Sequence, residues 1–202
     1  MINTIIFDIG KVLVEADWHK TLDLMNIAKE HQDEIIKATV EGPKWDGYDH
    51  GDYTFDEMLN DSISLAPERE AEIRYFYSRL DIIVQTFDYA ADWLKYYRDK
   101  GFKVYILSNF PKEPFEACED QFEFLKYIEG AVVSYRWKES KPDRAIYDRL
   151  IRMYEIIPEN AIFVDDRVVN VDAARRLGFN GVVFKDRESA DREILSICEE
   201  RL

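Results

Sequence analysis

The chain opens on a short apolar run, Thr4-Ile5-Ile6-Phe7, that stops at the carboxylate of Asp8 and is followed two residues later by Gly10. An apolar run of this length, closed by a polar residue and a glycine, predicts a buried strand over 2–7. From about Asp17 to Leu80 the apolar residues fall at helical spacing instead: Trp18, Leu22 and Met25, then Ile35 and Ile36, then Phe55, Met58, Leu59 and Ile63, then Ile73, Phe76 and Leu80. Thr54 with Glu57 three residues on reads as a capping box opening a helix at Phe55, and Pro67-Glu68 suits a further helix start. Between them Glu41 to Asp52, rich in glycine and aromatic residues, predicts a loop or loosened turn.

Beyond Thr86 the two periodicities alternate. Helical spacing over Phe87 to Arg98 is closed by Lys100-Gly101, and Phe102 to Leu107 is a strand. A mostly helical stretch from Pro114 to Tyr127 precedes a short strand over Gly130 to Ser134. Next come a helix over Asp143 to Tyr154, a strand over Ala161 to Val164, a helix over Val169 to Leu177 ended by Gly178, a strand over Gly181 to Phe184, and a helix from Arg187 onward. Strands alternating with helices imply parallel crossovers and a sheet covered on both faces. The expected fold is therefore α/β: a doubly wound parallel sheet built from 1–14 and 86–202, with 15–85 inserted after the first strand as a helical subdomain.

A chain of 202 residues with 47% hydrophobic and 34% charged residues can bury a sizeable core. Its net charge of −14 repels phosphate backbones and anionic membranes, which argues against nucleic-acid and membrane partners. A small anionic substrate would need a local cation to offset that field. Cys118 and Cys198 form neither a disulfide framework nor a metal-type spacing, and the N-terminal apolar run is too short to span a bilayer. A cytoplasmic monomer or homodimer is expected.

Four stretches stand at or just after the carboxyl ends of expected strands: Asp8, Ser108-Asn109, Lys141-Pro142 and Asp165-Asp166. In a doubly wound sheet those ends share one edge, where loops converge on a ligand. Asp8, Asp165 and Asp166 would repel one another strongly in a partly buried site, and a hard divalent cation such as Mg2+ resolves the conflict with oxygen ligands. Ser108 and Asn109 offer a hydroxyl, an amide and backbone N–H groups to an anionic oxygen, and Lys141 offers a point charge. A carboxylate nucleophile, a metal and a cation together suit phosphoryl transfer through an aspartyl phosphate on Asp8.

Taken in order, these stretches resemble the haloacid dehalogenase superfamily, in its branch with a helical cap after the first strand. The hhhDxDx[TV] motif stands as Ile5-Ile6-Phe7-Asp8-Ile9-Gly10-Lys11-Val12; the strand-end hydroxyl is Ser108; the lysine is Lys141 before Pro142; the acidic pair is Asp165-Asp166 in a DDxxxN pattern with Asn170. The resemblance implies that Asp8 is nucleophile and Mg2+ ligand, that the Gly10 carbonyl and Asp166 are further ligands, and that Asp165 acts through metal-bound water or orients Lys141. It implies that Ser108, Asn109 and Lys141 bind the phosphate, while Lys11 either reaches the phosphate or pairs with Glu15.

One position departs from the pattern: Gly10 stands where the family usually has a second aspartate that protonates the leaving group and later activates water. A transfer of that kind is typically worth about 10²–10⁴-fold in rate. Three readings stay open: a good leaving group, such as an anomeric sugar oxygen; a substitute from Glu15, Asp17 or His50; or a weak catalyst that chiefly binds a phosphorylated metabolite. The Asp-x-Gly-x-Val form with Trp45, Gly51 and Phe55-Asp56-Glu57 resembles an α-D-glucose-1-phosphate phosphatase-like subset of the superfamily, which implies a Mg2+-dependent phosphatase of a small phosphorylated metabolite such as a sugar phosphate. The alternative is a 2-haloacid dehalogenase, which uses the same aspartate without a metal.

Overall fold

A computed structural model describes residues 1–200 of the chain. Among the described residues seven strands are formed: β1 Thr4–Phe7, β2 Val14–Glu15, β3 Gln85–Thr86, β4 Lys103–Ser108, β5 Gly130–Val133, β6 Ala161–Asp165 and β7 Asn180–Val183. Five make a wholly parallel sheet in the order β5-β4-β1-β6-β7, with Phe7 beside Ile106 on one side and Val164 on the other.

The continuous apolar runs of these strands have a physical cause. Alternate residues point to opposite faces, and each face is covered. Ile5, Phe7, Val104, Ile106, Ile162 and Val164 face one core with Trp93, Leu94 and Tyr97 of the helix Ala90–Asp99 and Ile194 of the helix Arg187–Glu199. Ile6, Tyr105, Leu107 and Phe163 face the other, against Ile146, Tyr147 and Leu150 of the helix Arg144–Tyr154 and Ala173 and Ala174 of the helix Val168–Arg176. Asp191 ties the first layer together: its Oδ1 accepts hydrogen bonds from Trp93 Nε1 and Tyr97 Oη, both at 2.6 Å.

Central β1 is followed in the sheet by β4 on one side and has β6, which leads outward to β7, on the other. The loops leaving β1 and β6 therefore part company, and a crevice opens at their carboxyl ends.

Between β2 and β3 the chain is helical: Trp18–Leu24, Lys29–Ala38, Trp45–His50, Phe55–Leu65, Glu70–Ser78 and Leu80–Ile83. The expected capping box forms, with Thr54 Oγ1 accepting from Glu57 N and the Glu57 carboxylate accepting from Thr54 N. The outgoing and returning chain pair as an antiparallel ribbon, Val14 with Thr86 and Glu15 with Gln85. Strands of two residues are too short to carry a periodicity, so the sequence pattern does not reveal them.

Two further differences from the sequence expectation have local causes. The stretch expected as a loop contains the helix Trp45–His50, because Trp45 packs edge-on against both Trp18 and Tyr48, at 6.2 and 5.7 Å between ring centroids. Tertiary packing here overrides the poor helix propensity of Gly47, whose missing side chain leaves room for the Tyr53 ring, 2.5 Å from where a Cβ would stand. The stretch after Pro114 is an α-helix only over Lys112–Cys118, and continues as 3₁₀ turns over Glu119–Gln121 and Glu123–Tyr127.

Candidate active site

Asp8 is the first residue beyond β1, and its N–H still donates to Val164 O of β6 at 2.9 Å. Its side chain is buried at the sheet edge. Three donors converge on Asp8 Oδ1: Ile9 N at 2.7 Å, Ser108 Oγ at 2.7 Å and Lys141 Nζ at 2.8 Å. Among the described residues none donates to Oδ2.

Lys141 reaches this point from the loop before the helix Arg144–Tyr154. Asn109 holds it by a paired backbone contact, its Nδ2 donating to Lys141 O at 2.9 Å and its Oδ1 accepting from Lys141 N at 2.8 Å. The buried ammonium also donates to Asp165 Oδ2 at 2.6 Å and Leu107 O at 2.9 Å. Asp165, the last residue of β6, is wholly buried and accepts further hydrogen bonds from Arg167 N and Asn170 Nδ2. Asp166 is half-buried and turned toward the cavity.

Asp8, Asp165 and Asp166 can bring one oxygen each within 4.8 Å of one another. With Lys141 the cluster carries three potential negative charges and one positive, an excess of two. Burial pushes the Asp8 carboxyl above its usual range, and Asp165 adds to this while Lys141 opposes it. Burial likewise raises Asp166, with Asp165 adding and Lys11 opposing. For Lys141 burial disfavours the ammonium, but Asp8 and Asp165 outweigh it, and its pKa stands above the usual lysine value. A divalent cation would cancel the excess. The donor set fits one: all three side chains offer hard oxygens, and Asn170 Oδ1 is buried beside them without a hydrogen-bond donor.

These groups open into a cavity lined by Asp8, Gly10, Lys11, Asn109, Lys141 and Asp166, together with Asp49. Six residues expected from the sequence, Asp8, Gly10, Lys11, Asn109, Lys141 and Asp166, thus line one cavity, with Ser108 and Asp165 behind it; Asp17 and His50 do not line it. Lys11 is exposed at its rim, and Glu15 pairs with Lys20 instead of with Lys11. A second cavity adjoins the first, sharing Gly10, Ala16, Asp49 and Asn109, with largely apolar walls from Val14, Trp18, Trp45, Val84 and Phe110.

Sequence reasoning passed over Asp49. It belongs to the short helix Trp45–His50, and its only signal was the spacing of Trp45 and Tyr48, one helical turn apart. Burial pushes its carboxyl up to about 8, with Asp46 and Asp8 adding and Arg167 and Lys141 opposing.

A doubly wound parallel sheet with an acidic cluster and a buried lysine at its switch point defines an α/β protein whose candidate chemistry sits at the strand ends. A family profile described as haloacid dehalogenase-like hydrolase matches residues 2–178, and the chain belongs to that family. It is 26% identical over 209 residues to a D-ribitol-5-phosphate phosphatase of Bacteroides thetaiotaomicron, covering 95% of each chain. It is also 26% identical over 207 residues to the drimenol cyclase drtB of Aspergillus calidoustus, where 98% of this chain spans only 37% of the relative's length. The fold is similar to that of the HAD family enzyme bt-2542 of Bacteroides thetaiotaomicron, crystallised with magnesium and inorganic phosphate: the TM-score is 0.71 and the identity 22%, over 92% of this chain and 95% of that one.

Proposed function

We propose that the protein is a Mg2+-dependent phosphatase acting on a small phosphorylated metabolite, most plainly a sugar or polyol phosphate. The observation that carries this reading is the convergence of Asp8, Asp165 and Asp166 with Lys141 and Ser108 at the sheet's switch point. Asp8, Asp166 and the Gly10 carbonyl would hold the metal, with Asp165 and Asn170 behind them; when bound, the ion screens the negative charge of the phosphate and of the carboxylates.

The residues then divide the work. Asp8 Oδ1 is fixed by three donors, so Oδ2 is the oxygen that attacks phosphorus. Lys141 and Ser108 orient Asp8 and, with Asn109 and Lys11, receive the phosphoryl oxygens. An aspartyl phosphate forms on Asp8 and water releases it as inorganic phosphate. Residues 15–85 act as a cap, and the apolar walls of Trp18 and Trp45 receive the carbon skeleton of the leaving group. The relative that hydrolyses ribitol 5-phosphate supports a polyol or sugar ester.

A panel of phosphorylated sugars and polyols, with and without Mg2+, tests the reading through phosphate release. Asp8→Asn is expected to lower that release by about 10³-fold or more while the fold is kept. Near wild-type turnover in this variant would remove Asp8 as nucleophile. Turnover of 2-haloacids that survives complete chelation would replace the phosphatase reading with the dehalogenase one.

A further inference from the structure

Position 10 leaves a gap in the site. A Cβ built on Gly10 would meet nothing within 4 Å, and its φ lies outside the left-handed region, so the backbone does not demand glycine there. Gly10 and Asp49 line the same two cavities. Among the described residues Asp49 is the one carboxylate that borders both cavities, the one holding Asp8, Lys141 and Asp166 and the apolar one beside it. A phosphate ester bound across the two would set its bridging oxygen at their junction.

The other candidates are engaged elsewhere. Glu15 is held by Lys20. Asp17 caps the helix Trp18–Leu24 by accepting from Lys20 N at 3.1 Å. His50 is outside both cavities, its ring 2.9 Å from Asp52. Among the described residues none hydrogen-bonds to or ion-pairs with the Asp49 carboxylate, while its backbone is fastened to the core. Ser134 Oγ donates to Asp49 O, Tyr48 Oη donates to Glu113 Oε2 at 2.8 Å, and Gly51, with φ +85°, lies against the Tyr135 backbone.

We propose that Asp49 is the general acid and base of this enzyme, reaching from the helix Trp45–His50 into the space left open at Gly10. The proposal rests on the phosphatase reading above. Asp8 Oδ2 bonds to phosphorus, the bond from phosphorus to the bridging oxygen breaks, and the Asp49 carboxyl gives its proton to that oxygen, releasing the alcohol. Asp49, now a carboxylate, takes a proton from the water that attacks phosphorus. The bond from phosphorus to Asp8 breaks, inorganic phosphate leaves, and Asp49 is protonated again. The first step needs a protonated carboxyl, and the burial of Asp49 favours the neutral form. The nearby charged groups are Asp46, Asp8, Arg167 and Lys141.

The two half-reactions separate on leaving group. 4-Nitrophenolate departs without a proton, whereas a sugar or polyol alkoxide needs one. With Mg2+ present, Asp49→Asn is expected to release one equivalent of 4-nitrophenolate per site in a rapid burst. Steady turnover then falls by about 10²–10⁴-fold and phosphoenzyme accumulates on Asp8. On ribitol 5-phosphate or glucose 1-phosphate, whichever wild type turns over, the variant should show neither burst nor turnover. The double variant Gly10→Asp/Asp49→Asn should recover steady turnover. Asp49→Asn turning over the sugar ester within about threefold of wild type would overturn the proposal. Loss of the 4-nitrophenolate burst with no recovery in the double variant would also overturn it, as the mark of a structural role. Wild type without burst or turnover on any of these esters would instead overturn the phosphatase reading, and Asp49 with it.

Discussion

Lys141 shows how finely the charges are set at the level of one residue. It lies between two carboxylates, 2.8 Å from Asp8 and 2.6 Å from Asp165, and all three are buried. Lys141→Met would leave two buried carboxylates facing each other without a cation, a loss of about 3–5 kcal/mol. Urea denaturation should show that loss in the presence of a chelator and a partial recovery with Mg2+, because a divalent cation bound to the native state replaces some of the missing charge. Asp49 carries a different signature. Its folded pKa is raised to about 8 from an ordinary 3.8, so the folded protein binds more protons than the unfolded chain between those values. Stability therefore falls as pH rises through that window. Asp49→Asn removes this cost, and melts should show the variant more stable than wild type at pH 8, with the advantage vanishing toward pH 4. A residue that costs stability and, as proposed, carries a proton fits the general opposition between stability and activity at functional sites.

Among the elements, the helix Trp45–His50 matters most and was least legible. Its neighbours announced themselves: Thr54 and Glu57 spell a capping box, and the strands of the sheet are continuous apolar runs ended by the residues of the site. A six-residue helix with a glycine in the middle offers no such period; what stabilises it is tertiary, the packing of Trp45 and Tyr48 and the hydrogen bonds of Tyr48 Oη to Glu113 and of Ser134 Oγ to Asp49 O, which the chain alone does not display. For the same reason the candidates Asp8, Ser108, Asp165 and Asp166 could be picked out from strand ends, and Lys141 from the loop before the helix Arg144–Tyr154, while Asp49 could not. Gly51 fixes where the helix stops. A side chain there would be forced into the left-handed region with its Cβ 3.0 Å from Tyr135 O, at a cost of about 1–2 kcal/mol. Gly51→Ala should lower the melting temperature accordingly, and if Asp49 acts as proposed it should lower kcat more than it raises KM, since the helix end that shifts carries the acid.

For the whole molecule, the charge of −14 sets a long-range field against any phosphate dianion. Lys11, Lys141 and Arg167 offset it only at the cavity itself. At fixed free Mg2+, kcat/KM for a dianionic ester should therefore rise as KCl is raised toward about 0.15 M, where charges beyond about 8 Å are screened; a fall would place the cavity's own cations in control of capture. The parallel sheet and its helical insertion were legible from the alternation of periods, because a buried strand and an amphipathic helix leave different marks. The ribbon that joins them was not, because two residues leave none.

That ribbon has a consequence for how such a chain can change. Val14 pairs with Thr86 and Glu15 with Gln85, so the insertion starts and ends at one fixed doorway whatever lies between. Closing a loop on itself grows more costly only slowly, by about 0.6 kcal/mol for each doubling of its length. Segments of very different size and content could be spliced in at the doorway without disturbing the register of the strands that carry Asp8, Ser108 and Asp165. If the acid rides on the exchanged segment, as proposed for Asp49, and that segment encloses the substrate, then each exchange would replace the enclosure and the proton donor together. Specificity and leaving-group chemistry would be inherited as one cassette.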